Sequence, residues 1–135
     1  MKIDKFTIND IINKYLLEKD SNDESYRINE EEKKKENPRT LEQIKFFYKM
    51  GKVAEHYLAQ EFKHLSLSNN NYHDLWDSNE KCYVEVKAYS QKNIDNDLVK
   101  KHINRIKNAK WNKSKYLLLF MVKNDIYEFI KRYDI

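Results

Sequence analysis

Cys82-Tyr83-Val84-Glu85-Val86-Lys87-Ala88-Tyr89 alternates apolar residues with polar and aromatic ones at a period of two. A β-strand sends successive side chains to opposite faces, so Cys82, Val84, Val86 and Ala88 are expected on a core face. Tyr83, Glu85, Lys87 and Tyr89 then share the other face, with Glu85 and Lys87 side by side, roughly 7 Å apart along the strand. Tyr72 to Trp76 reads as the strand before it, joined by the turn Asp77-Ser78-Asn79-Glu80. If that turn closes the hairpin directly, Trp76 faces Lys81 and Asp74 faces Tyr83, which sets Asp74 diagonally across from Glu85 on the same face.

Working outward, Thr40-Leu41-Glu42-Gln43 has capping-box form, and Leu41, Ile44, Phe47, Tyr48, Met50, Ala54, Tyr57, Leu58 and Phe62 keep a helical stripe to about His64. Gly51 interrupts that helix at a modest propensity cost, either simply tolerated or placed for close approach of another backbone or a substrate strand. Ser66 to Asn71 reads as a loop. Downstream, Asn93 or Asp95 can cap a helix from about Asp97 to Lys110, with Val99, Ile103 and Ile106 inward. The unbroken apolar run Tyr116 to Val122 is expected to be a strand covered on both faces, and Ile126 to Tyr133 a last strand after a turn at Asn124-Asp125. The order of helix, strands, helix and strand predicts an α/β core.

Upstream, Phe6, Ile8, Ile11, Ile12, Tyr15 and Leu16 recur at helical spacing, predicting a first helix over roughly residues 7 to 19 with Thr7 or Asn9 as its cap. Asp20 to Asn37 is polar and ends at Pro38, which biases the residue before it away from helix. We therefore expect residues 1–37 to be an N-terminal helix and charged linker, and residues 38–135 to be one domain, a size at which a single core closes.

The net charge of +4 over 135 residues is modest, but it is unevenly spread. Residues 1–37 hold eight Lys/Arg against ten Asp/Glu, whereas Lys92 to Lys115 holds eight basic residues against Asp95 and Asp97. A local basic surface follows, with Lys92, Lys100, Lys101, Arg105, Lys107 and Lys110 as candidate DNA-phosphate contacts. No apolar stretch is long enough to cross a bilayer, so no membrane partner is expected and an intracellular, cytoplasmic setting is. The one cysteine, Cys82, cannot form an internal disulfide and reads as a small buried residue.

Two carboxylates and an ammonium converging on one strand face suit a hard cation, because magnesium takes one or two carboxylates and leaves other positions for water and phosphate oxygens. Such an ion stabilises charge on a scissile phosphate and lowers the pKa of a bound water. Lys87 beside it can orient that water. Phosphodiester hydrolysis is the chemistry this predicts.

These residues resemble the PD-(D/E)xK nuclease superfamily, which has a restriction endonuclease-like fold. The resemblance runs through Gly51-Lys52-Val53-Ala54-Glu55 on a helix, His73-Asp74-Leu75 on a strand and Val84-Glu85-Val86-Lys87-Ala88 on the next. It implies a helix, a mixed sheet and a second helix, with Asp74, Glu85 and the Val86 backbone carbonyl as direct metal ligands and Glu55 reaching the metal through water. Lys87 matches the motif lysine. The implied activity is a magnesium-dependent DNA endonuclease, with manganese as a substitute, acting as a homodimer or with a partner subunit. The alternative is a non-catalytic DNA-binding or assembly subunit that retains the fold. His73 stands where the family motif has proline, and Asp77 competes with Asp74 for the aspartate role.

A bare E-x-K pattern carries little, since Glu31, Glu32 and Glu61 also begin one. Only Glu85 combines it with an alternating strand and an aspartate eleven residues earlier. His56, His64, His73 and His102 lack metal-ligand spacing and read as structural or surface residues. Tyr89, Trp111 and Tyr116 are candidates for stacking on bases, or else rim packing.

Overall fold

The apolar run of the sequence lies in a sheet covered on both sides, and the helices are placed by the need to cover it. A computed structural model describes residues 2–11, 41–91 and 94–135, and only the backbone of 41–48. Its elements are helix α1 (Leu41–Glu61), strands β1 (Leu65–Leu67), β2 (Leu75–Asp77) and β3 (Cys82–Ser90), helix α2 (Asn96–Asn108), and strands β4 (Ser114–Lys123) and β5 (Ile126–Asp134). The five strands lie in the order β1-β2-β3-β4-β5. Neighbours pair antiparallel except β3 and β4, which are parallel and need the crossover that α2 provides. The chain is an α/β protein with two helices and a mixed sheet among the described residues.

Tyr116 through Phe120 of β4 are all buried. Tyr116, Leu118, Phe120 and Val122 pack in one cluster with Val84, Val86 and Ala88 of β3 and with Met50, Val53, Ala54 and Leu58 of α1. Leu117 and Leu119 are sent to the opposite face by the pleat, where α2 buries Val99 and Ile106. Alternation along β3 is complete from Cys82 to Ala88, so Glu85 and Lys87 belong to the α2 side of the sheet. Among the described residues no helix is long and apolar enough to cross a membrane.

The opening segment departs from expectation. Residues Ile8–Asp10 form one 3-10 turn with a capping box from Thr7 and Asp10, and Ile11 is already extended, so no α-helix starts at residue 7. Phe6 instead bridges Tyr127 of β5 through paired backbone hydrogen bonds, and its ring stacks 3.7 Å from Tyr57 and 4.9 Å from Tyr127. Aromatic burial against β5 decides this segment rather than helical periodicity, and Phe6 and Ile11 join the core of the 38–135 body. The rest of the expected first helix, the charged linker and the Thr40 cap lie outside the described residues, as does Lys92.

Three boundaries also move. Leu65–Leu67, read as the edge of a loop, pairs with β2 as a short edge strand. Tyr72, His73 and Asp74 all precede β2 rather than belonging to it: Asn70 turns the chain by accepting from the backbone N–H groups of Tyr72 and His73, and Asp74 sits in a bend, where its carbonyl accepts the Ser68 N–H. The hairpin turn is Ser78 to Lys81, since Asp77 still pairs with Cys82 while its side chain accepts from Asn79 and Glu80. Lys81 closes the turn at φ 54°.

Candidate metal and nucleic-acid site

That later turn slides the hairpin register by two residues and therefore keeps every side chain on its face. Trp76 is opposite Tyr83, not Lys81, and continuing the register sets Asp74 directly across from Glu85 rather than diagonally. The two carboxyl groups are within hydrogen-bonding reach of each other. Asp74 is held in place by its Oδ2, which accepts the Val86 backbone N–H at 2.8 Å. Within a strand the N–H and C=O of one residue point to the same side, so the Val86 carbonyl is directed to the Asp74 edge as well.

Glu85 is braced from the β4 side. Its Oε1 accepts from Asn112 Nδ2 at 3.0 Å and from Ser114 Oγ at 3.2 Å. Burial, then the neighbouring charge of Asp74 and the hydrogen bond to it, hold the Glu85 carboxyl well above the ordinary carboxylate range, against the opposing pull of Asn112 and Ser114. A proton shared between two carboxyl groups is what a divalent cation replaces. Two carboxylates beside a backbone carbonyl fit the oxygen-rich, water-sharing coordination of magnesium, although no group of three His, Cys, Asp or Glu able to hold a metal occurs among the described residues.

The two loops framing this corner are tied together by His73. Its Nε2 accepts the Lys113 backbone N–H at 2.9 Å, which leaves Nδ1 to donate to Asn70 Oδ1, also at 2.9 Å. The ring is buried, stacks 3.9 Å from Tyr83, and has its pKa lowered chiefly by burial. His73 thus pins the segment before β2 to the α2–β4 loop.

Asp74 and Glu85 line a pocket of about 220 Å³ with His102 and Arg105 of α2 on its far wall. Burial, then the charges of Lys87 and Arg105, pull the His102 pKa down to about 4, so its imidazole is neutral at physiological pH. Lys87 stands two residues beyond Glu85 on the same face, half-buried, its ammonium 5.6 Å from the Tyr89 ring centroid. Lys100, Lys101, Arg105, Lys107 and Lys110 are exposed along and just beyond α2.

Glu55 stands apart from this corner in the fold. It is buried on α1, the helix that packs on the opposite face of β3, with the Lys52 ammonium 3.7 Å away. Asp77, the competing aspartate, points to that same core face and is 1% exposed. Tyr116 Oη donates to its Oδ2 at 2.6 Å, in addition to the two turn N–H groups at Oδ1. That pairing gives Asp77 a structural task and removes Tyr116, itself buried, from the stacking candidates. Trp111 is exposed at the pocket mouth, and Tyr89 is half-buried.

Sequence reasoning passed over His102, Asn112, Ser114 and Tyr72. His102 had a usable signal, since it lies three residues after Val99 and four before Ile106 and so belongs to the inward stripe of α2. Asn112 and Ser114 had none, because only the parallel pairing of β3 with β4 brings them to Glu85. No family model, curated protein or solved structure matches this chain.

Proposed function

We propose that this protein is a metal-dependent DNA endonuclease with a restriction endonuclease-like core. The single observation that carries the reading is that Asp74 and Glu85 line one pocket together with a basic helix. Like charges are brought together at a cost that a bound cation relieves. Asp74, Glu85 and the Val86 carbonyl would hold the ion directly, with water and phosphate oxygens in its other positions, since Glu55 is buried on the far side of β3. Bound there, magnesium, or manganese in its place, supplies positive charge against the scissile phosphate and lowers the pKa of a coordinated water.

The chain's own groups do the rest. Asn112 and Ser114 hold Oε1 of the Glu85 carboxylate in place at the pocket wall. Lys87 orients the attacking water and offsets negative charge as it develops. Lys100, Lys101, Arg105, Lys107 and Lys110 align the phosphate backbone, making affinity fall steeply with salt. Neutral His102 adds no charge to the pocket and keeps a hydrogen-bonding nitrogen beside it. One such site cuts one strand, so cleavage of both strands would take a second copy or a partner subunit.

The test is incubation of purified protein with supercoiled and branched DNA, with magnesium or with chelator. Metal-dependent cutting that is lost in Asp74→Ala and Lys87→Ala is the expected result. Salt-sensitive binding without cutting, unchanged by either substitution, would replace the enzyme with a DNA-binding subunit.

A further inference from the structure

Tyr72 and Trp111 come from the two loops that His73 ties together, and both line the pocket that holds Asp74 and Glu85. They are 59% and 56% exposed, the two most exposed large apolar side chains among the described residues, and they meet each other at the mouth of the acidic corner. Their ring centroids are 5.6 Å apart at an interplanar angle of 41°. A planar ring sandwiched between them would need about 7 Å, two van der Waals contacts of roughly 3.5 Å each. The pair is therefore one tilted platform, with its outer faces presented to whatever enters.

We propose that this platform stacks an unpaired nucleobase beside the scissile phosphate, so that the substrate is DNA with a single-stranded segment rather than uninterrupted duplex. The assignment rests on the nuclease reading of Asp74 and Glu85 and deepens it. Bases within a duplex offer only their edges, whereas an unstacked base offers a π-face to aromatic side chains. The space beside the platform, about 220 Å³, is below the roughly 300–1,000 Å³ of sites for drug-sized ligands and suits a single ring system better than a base pair. Arg105 on the opposite wall supplies a cation for the phosphate attached to that base, which gives the site the aromatic and cationic halves that single-strand binding uses.

The experiment uses the full chain in chelator, where no cutting occurs, and reads Trp111 emission in a Trp76→Phe background that leaves one tryptophan. Probes are a single strand of about 12 nucleotides, within the footprint of single-strand binders, a blunt duplex of the same sequence, and that duplex with a short overhang. The single strand and the overhang are expected to quench Trp111 and to bind about tenfold or more tighter than the blunt duplex, the difference that one stacked base supplies. Read by the fluorescence anisotropy of end-labelled probes, Trp111→Ala should weaken single-strand binding by about 5- to 150-fold and leave duplex binding unchanged, with Trp111→Phe restoring most of it. A circular dichroism melt of each variant confirms that it is folded.

Equal affinity for all three probes, no quenching, or a Trp111→Ala variant that loses single strand and duplex alike would overturn the platform. So would a free mononucleotide that binds as tightly as the oligonucleotide, since the site would then belong to a small molecule. The two readings fail separately. Quenching by single strands with no cutting in magnesium sinks the nuclease and leaves the platform, whereas unimpaired cutting by Trp111→Ala sinks the platform and leaves the nuclease.

Discussion

Asp74 and Asp77 are three residues apart on one hairpin arm and lead opposite lives. Asp77, on β2, goes into the core under α1, and Asp74, in the bend just before β2, goes into the pocket under α2. Asp77 is saturated: a tyrosine hydroxyl and two backbone N–H groups satisfy it. Burial raises its pKa, but the hydrogen bonds from Tyr116, Glu80 and Asn79 outweigh burial and leave it below the ordinary value. Asp74 has one backbone donor and, for a neighbour, another acid. An acid whose partners are all donors holds a fold together, and an acid set against an acid is the arrangement that the proposed cation would relieve.

The largest expected effect separates these roles. Asp77→Ala strands the Tyr116 hydroxyl and two turn N–H groups in or near the core, and should cost about 3–5 kcal/mol, the range for breaking a buried charged network. For a chain of this length that is a fall in Tm of roughly 10 °C or more. Asp74→Ala should move Tm far less while abolishing metal-dependent cutting. Thermal melts of the two variants beside a cleavage assay would break the comparison if Asp74→Ala proved the less stable protein.

A middle-sized effect concerns the cation. Magnesium at about 100 times its dissociation constant should stabilise the wild-type protein by about 2.7 kcal/mol, and Asp74→Ala should not respond at all. The ion must displace the proton that Glu85 retains, so affinity should rise with pH through the raised Glu85 pKa. Calorimetric titrations in two buffers of different ionisation enthalpy would reveal the released proton. A metal-induced Tm shift that survives Asp74→Ala would place the ion elsewhere.

The two acids should also give opposite pH slopes. The folded pKa of Asp77 is depressed, so its stabilisation is present above the unfolded carboxylate range and is lost as pH falls through the folded value. The folded pKa of Glu85 is raised, so its contribution is full below the unfolded range and is lost as pH rises through the folded value. Glu85→Gln keeps a hydrogen-bonding side chain beside Asp74 with no proton to take up on folding, and should raise stability at neutral pH by about 1 kcal/mol, a few degrees of Tm. Metal-free melts across the acid-to-neutral range, on wild type and Glu85→Gln, check both slopes, and a Gln variant that melts lower at neutral pH would deny the raised Glu85 pKa.

How far these roles could be read from the chain depends on distance along it. The alternation of Cys82 to Ala88 fixed the face of Glu85 and Lys87, and the unbroken run at Tyr116 to Val122 announced a strand buried on both sides, because both are local consequences of the pleat. Asp77 misled in an instructive way. Its side chain shapes the turn, which makes it resemble a turn residue, yet its backbone still pairs with Cys82, and the two-residue change of register came from there. Parity survived the error, so the face assignment of Asp74 did too. Phe6 was lost to helical spacing because its partners, Tyr57 and Tyr127, lie far along the sequence. Asn112 and Ser114 are 27 and 29 residues from Glu85 and meet it only through a crossover.

The smallest effect sharpens the comparison with the third acid, Glu55. Its carboxylate leans back over Gly51, as side chains four apart on a helix do, and a Cβ built at Gly51 would meet only Glu55 Oε2, at 4.0 Å, an ordinary contact. Nothing among the described residues approaches the Gly51 backbone closely enough to demand glycine there. Gly51→Ala should therefore stabilise α1 by about 0.5–1 kcal/mol through helix propensity. If it also leaves metal affinity and cutting unchanged, α1 serves the fold and not the site. A stable Gly51→Ala protein that no longer cuts would mean that the substrate strand passes against α1 at this residue, and would move α1 from the structural side of the molecule to the functional one.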